Sequence, residues 1–93
     1  MLQVDGYEYE RNTTCVTCGH VMDGNRGVGL ISHDMEEGDI SLLCGWADHT
    51  MKDYLLVCLS TVMDRFPADY FPKSLMPGRT VRRESDGSWI LEQ

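Results

Sequence analysis

The chain reads Cys15-Val-Thr-Cys18-Gly19-His20 near its start and Cys44-Gly45-Trp-Ala-Asp-His49 near its middle. Twenty-five residues lie between Cys18 and Cys44, enough for a hairpin and its flanks. This pairing constrains the fold more than any other feature. Thiolates and imidazoles are the side chains zinc prefers, four at a time in a tetrahedron. An ion gripped by both groups would fix two distant stretches of backbone against each other. At 93 residues the chain is one domain with a modest core. Domains of this size often carry such a staple.

Cys15, Cys18, Cys44 and His49 are the candidate ligands. Two cysteines spaced two residues apart can face one ion if the backbone bends between them, and Gly19 permits a tight turn just after. Cys44 is expected to end a strand and His49 to lie in the first turn of a helix. His20 is the alternative fourth ligand. Disulfides are the competing use of the cysteines. The stretch around Asp5, Glu8 and Glu10 has no apolar signal segment, so a cytoplasmic location is expected, where thiols stay reduced and metal comes first. The longest apolar run, Leu55 to Leu59, is far short of a membrane span.

Periodicity predicts the remaining elements. Asp5-Gly6 reads as the turn of a first hairpin. Val28–Ser32 and Ile40–Cys44 read as strands joined by the acidic loop 33–39, with His33 exposed. Met51, Leu55, Cys58, Leu59, Val62 and Phe66 recur at three- and four-residue spacing. They predict a long amphipathic helix over about 48–66, capped by Asp48, stopped by Pro67, with Cys58 packed on its apolar face. Residues 79–83 and 88–92 flank Ser85-Asp86-Gly87 and read as a closing hairpin. The expected fold class is therefore α+β: a small zinc-stapled domain, β-hairpins packed on one long helix, and a C-terminal β-hairpin. The knuckle and helix core would span about 13–66 of the single domain 1–93, with 67–93 as an extension.

This layout resembles the treble-clef and zinc-ribbon group of small zinc fingers over roughly residues 13–66. The resemblance rests on the Cys15-x-x-Cys18-Gly19 knuckle, an intervening hairpin, and a ligand pair at the start of a helix. It implies a structural Zn2+, and a domain that binds proteins, nucleic acids or small ligands. Cys44 and His49 are spaced more widely than the second pair usual in that group.

Net charge is −7 and uneven. Residues 1–70 hold twelve acids and four bases; residues 71–93 hold three acids and four bases. Such a surface mostly repels phosphate and suits a basic protein partner. Asp34, Glu36, Glu37 and Asp39 are the candidate partner-binding residues. No His-Glu-x-x-His, no deaminase signature and no glycine-rich phosphate loop before a helix is present, and four protein ligands leave zinc no open position. The sequence thus points away from an enzyme. It points to a small acidic zinc-binding interaction module, an adaptor, regulator or inhibitor of a larger protein or complex, of the kind viruses direct at host enzymes. The alternative is a nucleic-acid-binding zinc finger using Arg79, Arg82 and Arg83, with Tyr70 or Trp89 as stacking platforms.

Overall fold

A computed structural model describes residues 3–4, 9–24, 26–34, 36, 38–45, 53–67, 69–72 and 74–92. In chain order the elements are β1 (Gln3–Val4), β2 (Thr14–Cys18), α1 (Gly19–Met22), β3 (Leu30–His33), β4 (Ile40–Leu43), β5 (Tyr54–Cys58), α2 (Leu59–Met63), β6 (Ser74–Leu75), β7 (Thr80–Arg83) and β8 (Trp89–Leu91). Six strands form one mixed sheet in the order β5-β2-β4-β3-β7-β8. Only β2 and β4 run parallel within it, with Val16 beside Ser41. The pairs β2–β5, β3–β4, β3–β7 and β7–β8 are antiparallel. β1 and β6 make a separate two-stranded parallel pair.

Side chains alternate across a strand, so each strand offers one face to the interior. β3 and β4 follow this rule cleanly: Ile31 and His33 are buried on one, Ile40 and Leu42 on the other. Register places Ile31 beside Leu42 and His33 beside Ile40, so all four share one face. Cys15 and Thr17 extend the buried set on β2, and Thr17 Oγ1 donates to the Leu42 carbonyl at 2.7 Å. Val21 of α1, Leu59 and Val62 of α2, and Phe71 and Leu75 complete the interior with Val28. The opposite face is more polar. Ser32 and Thr80 share a 2.9 Å hydroxyl hydrogen bond there, and Arg82 pairs with Glu92 at 2.9 Å.

An aromatic group fastens the chain after α2 to the far half of the sheet. Tyr70 stacks on Phe66 at 4.5 Å between centroids and meets Phe71 and Trp89 edge-on. Its hydroxyl donates to the Val28 carbonyl, and its own carbonyl accepts Trp89 Nε1 at 3.1 Å. The Arg83 guanidinium lies 4.3 Å over the Tyr70 ring, a cation–π contact.

The long amphipathic helix over 48–66 is not formed, and with it the helix-packed α+β description fails. Among the described residues the protein is mainly a six-stranded mixed sheet with two short helices. Residues 48–52 of that expected helix lie outside the described residues. Tyr54–Cys58 is a strand, and only Leu59–Met63 is helical. The physical reason is an ambiguity in the pattern. Tyr-Leu-Leu-Val is a continuous apolar run rich in β-favouring side chains, which fits a strand as well as a helical stripe. β2 offers it a five-residue antiparallel ladder, from Thr14↔Cys58 to Cys18↔Tyr54. The three-residue spacing holds only for Leu59 and Val62, the buried pair of α2. Cys58 caps that helix in extended conformation and is exposed, not packed in a core. The treble-clef arrangement, which needs the helix, goes with it.

Other expectations fare differently. The central strands and the closing hairpin form close to the expected bounds. Gln3–Val4 pairs with Ser74–Leu75; the Asp5-Gly6 turn lies outside the described residues. His33 is buried at 3 % exposure, not exposed, and its Nδ1 accepts the Gly78 N–H at 2.8 Å. Among the described residues no helix is long and apolar enough to cross a membrane.

Because Ile31 and Leu42 are fully enclosed at the sheet centre, Ile31→Ala or Leu42→Ala is expected to cost about 2–5 kcal/mol in urea denaturation. Met76→Ala, at a 59 % exposed side chain, is expected to stay within about 0.5 kcal/mol.

Candidate metal centre

Parallel strands end at the same edge of a sheet. β2 ends at Cys18 and β4 at Leu43, one residue before Cys44. Val16↔Ser41 pairing therefore brings Cys18 and Cys44 together although they are far apart in sequence. Immediately after Cys18 the chain turns from extended backbone (φ −129°, ψ 160°) into α1. This bend swings His20, the second residue of α1, back toward the strand end. The donor atoms of Cys18, His20 and Cys44 all lie within 4.8 Å of one another. Zinc bonds of about 2.3 Å to sulfur and 2.0–2.1 Å to nitrogen place tetrahedral donors roughly 3.5–3.8 Å apart. Closing on an ion thus needs a contraction of at most about 1 Å, and the donor set is one zinc accepts.

Backbone packing holds Cys44 where it is. A Cβ on Gly29 would meet the Cys44 carbonyl oxygen at 2.5 Å, so only glycine allows the two backbones so close. The Gly29 N–H donates to the Leu43 carbonyl at 2.8 Å. Gly45 follows at φ +84°, a left-handed turn that L side chains resist, and its carbonyl accepts Arg82 Nη1 at 3.2 Å. Arg26 Nη1 donates to Cys44 Sγ at 3.7 Å, putting a guanidinium beside the sulfur. Arg26 also lines an open cleft of about 330 Å3 with Val21, Gly24, Gly27, Arg65 and Phe66.

Both thiols of β2 are harder to ionise than an ordinary cysteine. Burial raises the Cys18 pKa, and the adjoining Cys44 thiol adds to this, while the backbone N–H groups of Val21 and Cys44 oppose it. A bound cation would reverse that balance, since a coordinated thiol loses its proton. Cys15 is pushed from 9.0 to about 11, first by burial and then by the charge of Cys58.

The structure brings Cys18 and Cys44 together and adds His20. Cys15 lies elsewhere: residues three apart in a continuous strand point to opposite faces, and no bend falls between Cys15 and Cys18. Its neighbours are Val57 across the ladder and Cys58. His49 lies outside the described residues. All four cysteines are free thiols. His20 sits only two residues from Cys18, and along a continuous strand the two could not close on one ion. The strand-to-helix bend at Cys18 brings them together, and Gly19 between them is the sequence feature that allows it.

The acidic loop is tied down at its base. Asp34 N–H donates to the Asp39 carbonyl and Gly38 N–H to the Asp34 carbonyl, at 2.9 and 2.7 Å. Asp34 Oδ1 accepts the Glu36 N–H, and Tyr9 Oη reaches the Gly38 carbonyl. Asp34, Glu36 and Asp39 are exposed; Glu37 lies outside the described residues. Of the tail arginines, Arg82 pairs with Glu92 and Arg83 covers Tyr70, so two of the three are engaged within the fold.

Two outcomes are expected. Gly29→Ala should push the β4 end away from β3 and weaken metal binding by at least tenfold, read by zinc competition titration. The second concerns alkaline pH. The folded chain keeps the Cys15 proton to about pH 11, while the unfolded chain releases it near 9. Stability should therefore fall as pH rises through that window, and Cys15→Val should flatten the fall in melting temperature.

Comparison with protein-family models, curated proteins and solved structures finds no match.

Proposed function

We propose that this chain is a zinc-stapled, acidic protein-interaction domain that acts on a larger protein or complex as an adaptor, regulator or inhibitor. The observation that carries the reading is the meeting of Cys18, His20 and Cys44 within 4.8 Å. Two thiolates and an imidazole give Zn2+ a neutral site, and Arg26 beside Cys44 favours the deprotonated sulfur. The fourth ligand comes from the segment that begins just after Cys44, where His49 is the sequence candidate. Four protein ligands make the ion structural and leave it no position for reacting water. Its binding energy then adds to folding energy, on the order of 10 kcal/mol for such sites. A sheet buried mainly on one face, in a domain this small, gains most from such a contribution.

The interaction half of the reading rests on charge and shape. A net charge of −7, with Asp34, Glu36 and Asp39 exposed on a hydrogen-bonded loop, suits a basic partner surface. Such complementarity raises the rate of encounter and its salt dependence more than the affinity.

Metal analysis of the purified protein is expected to find one zinc per chain, and a chelator to lower the melting temperature. Cys18→Ser, His20→Ala and Cys44→Ser should each lose the metal, His49→Ala should weaken it, and Cys15→Ser should retain it. A metal-free protein whose melting ignores chelator overturns the reading. For the partner, reversal of Asp34 and Glu36 to lysine should abolish recovery of a basic protein from the native host. Unchanged recovery removes the loop from the reading.

A further inference from the structure

The two edges of the six-stranded sheet are built differently. β8 is only three residues long, Trp-Ile-Leu, and Glu92, ion-paired with Arg82 of β7, follows it directly. Natural proteins guard sheet edges with such charges, with proline or with bulges, because an open edge recruits another strand. β5 has none of these guards. Its five residues, Tyr-Leu-Leu-Val-Cys, carry no charged side chain, and Leu55 and Leu56 are 40 % and 74 % exposed.

Ladder parity identifies the backbone groups that face outward. The Leu59 N–H donates to the Thr13 carbonyl at 2.7 Å, which continues the Thr14↔Cys58 register by one step. In an antiparallel pair, hydrogen-bonded and non-bonded partners alternate. Positions 55, 57 and 59 therefore bond to β2, and 54, 56 and 58 direct their N–H and C=O groups away from it. Leu56 is the centre of the outward set.

We propose that β5 pairs antiparallel with β5 of a second copy of this chain, on a two-fold axis at Leu56, to join two sheets into one. The strand is self-complementary in that register. Leu56 faces its own equivalent in a hydrogen-bonded pair, Tyr54 faces Cys58, and Leu55 faces Val57, with no like charges in contact. Both copies present the same outward parity, as an isologous interface requires. Half-buried Val16 lies beside Leu56 across the ladder. The join thus runs Val16, Leu56, Leu56, Val16 as one apolar row. A chain of net −7 repels its copy over most of its surface, and least where a strand is uncharged; of the two uncharged edges β5 is the longer and carries the most exposed large apolar side chain, Leu56. The inference is independent of the metal reading.

Sedimentation equilibrium of the full chain over a wide concentration range tests it. A dimer of twice 10.6 kDa is expected. Leu56→Lys sets two ammonium groups on the axis and should weaken the dimer at least about tenfold. Its circular dichroism and cooperative unfolding should remain those of a folded chain, because Leu56 is exposed in the monomer. In a Cys58→Ser background, Leu56→Cys should give a disulfide-linked dimer on mild oxidation, and Thr61→Cys, on the exposed side of α2, should not. A chain that stays monomeric at every concentration overturns the proposal and leaves the edge to a foreign strand. So does a dimer that survives Leu56→Lys, or one that Thr61→Cys crosslinks equally well.

Discussion

The parallel contact between β2 and β4 is the constraint on which the rest depends. Every other pairing in the main sheet is antiparallel. An antiparallel pairing would carry Cys18 and Cys44 to opposite ends of the sheet. The parallel one delivers them to the same end, where a single bend into α1 is enough to bring His20 to both. Gly29 and Gly45 then fix the level of Cys44, one by letting two backbones nearly touch and the other by turning the chain away. The cluster is thus a result of topology and two glycines rather than of a local knuckle.

That origin explains why the site was only partly legible in the sequence. Cys18 and Cys44 were identified from donor type and spacing, which do not depend on the exact fold. Cys15 was added because Cys-x-x-Cys implies a bend between the two thiols. A five-residue strand, paired with β5 along its whole length, removes the bend and sends the two thiols to opposite faces. Nothing in the sequence marks the start of α1 at Gly19, so His20 ranks there behind His49. Donor chemistry is a property of residues, whereas convergence is a property of strand direction, and no single-chain pattern encodes direction.

The same division holds for the fold. β3 and β4 are readable because their buried positions alternate, and β7 and β8 because they flank the Ser85-Asp86-Gly87 turn. Residues 54–63 are not, because an apolar run supports two periods at once and the choice belongs to a partner, β2, about forty positions upstream. Tertiary pairing overrode the helical stripe, leaving it only at Leu59 and Val62. The two strand–helix units also end alike, in Val21-Met22-Asp23 and Val62-Met63-Asp64, with the valine buried in each. Similar local sequence gives similar local structure here, in units whose strands lie side by side.

The sheet order has a consequence for synthesis. β2 is made about forty residues before β5, and β3 about fifty before β7, yet each needs the later strand as a neighbour. At translation rates of about 5–20 residues per second, β2 waits roughly 2–8 s for that neighbour. Only the β3–β4 and β7–β8 hairpins have their complements at hand as they are made. The nascent chain therefore spends its first seconds with a half-built sheet, and late closure of β5 and β7 sets the pace at which the domain becomes whole.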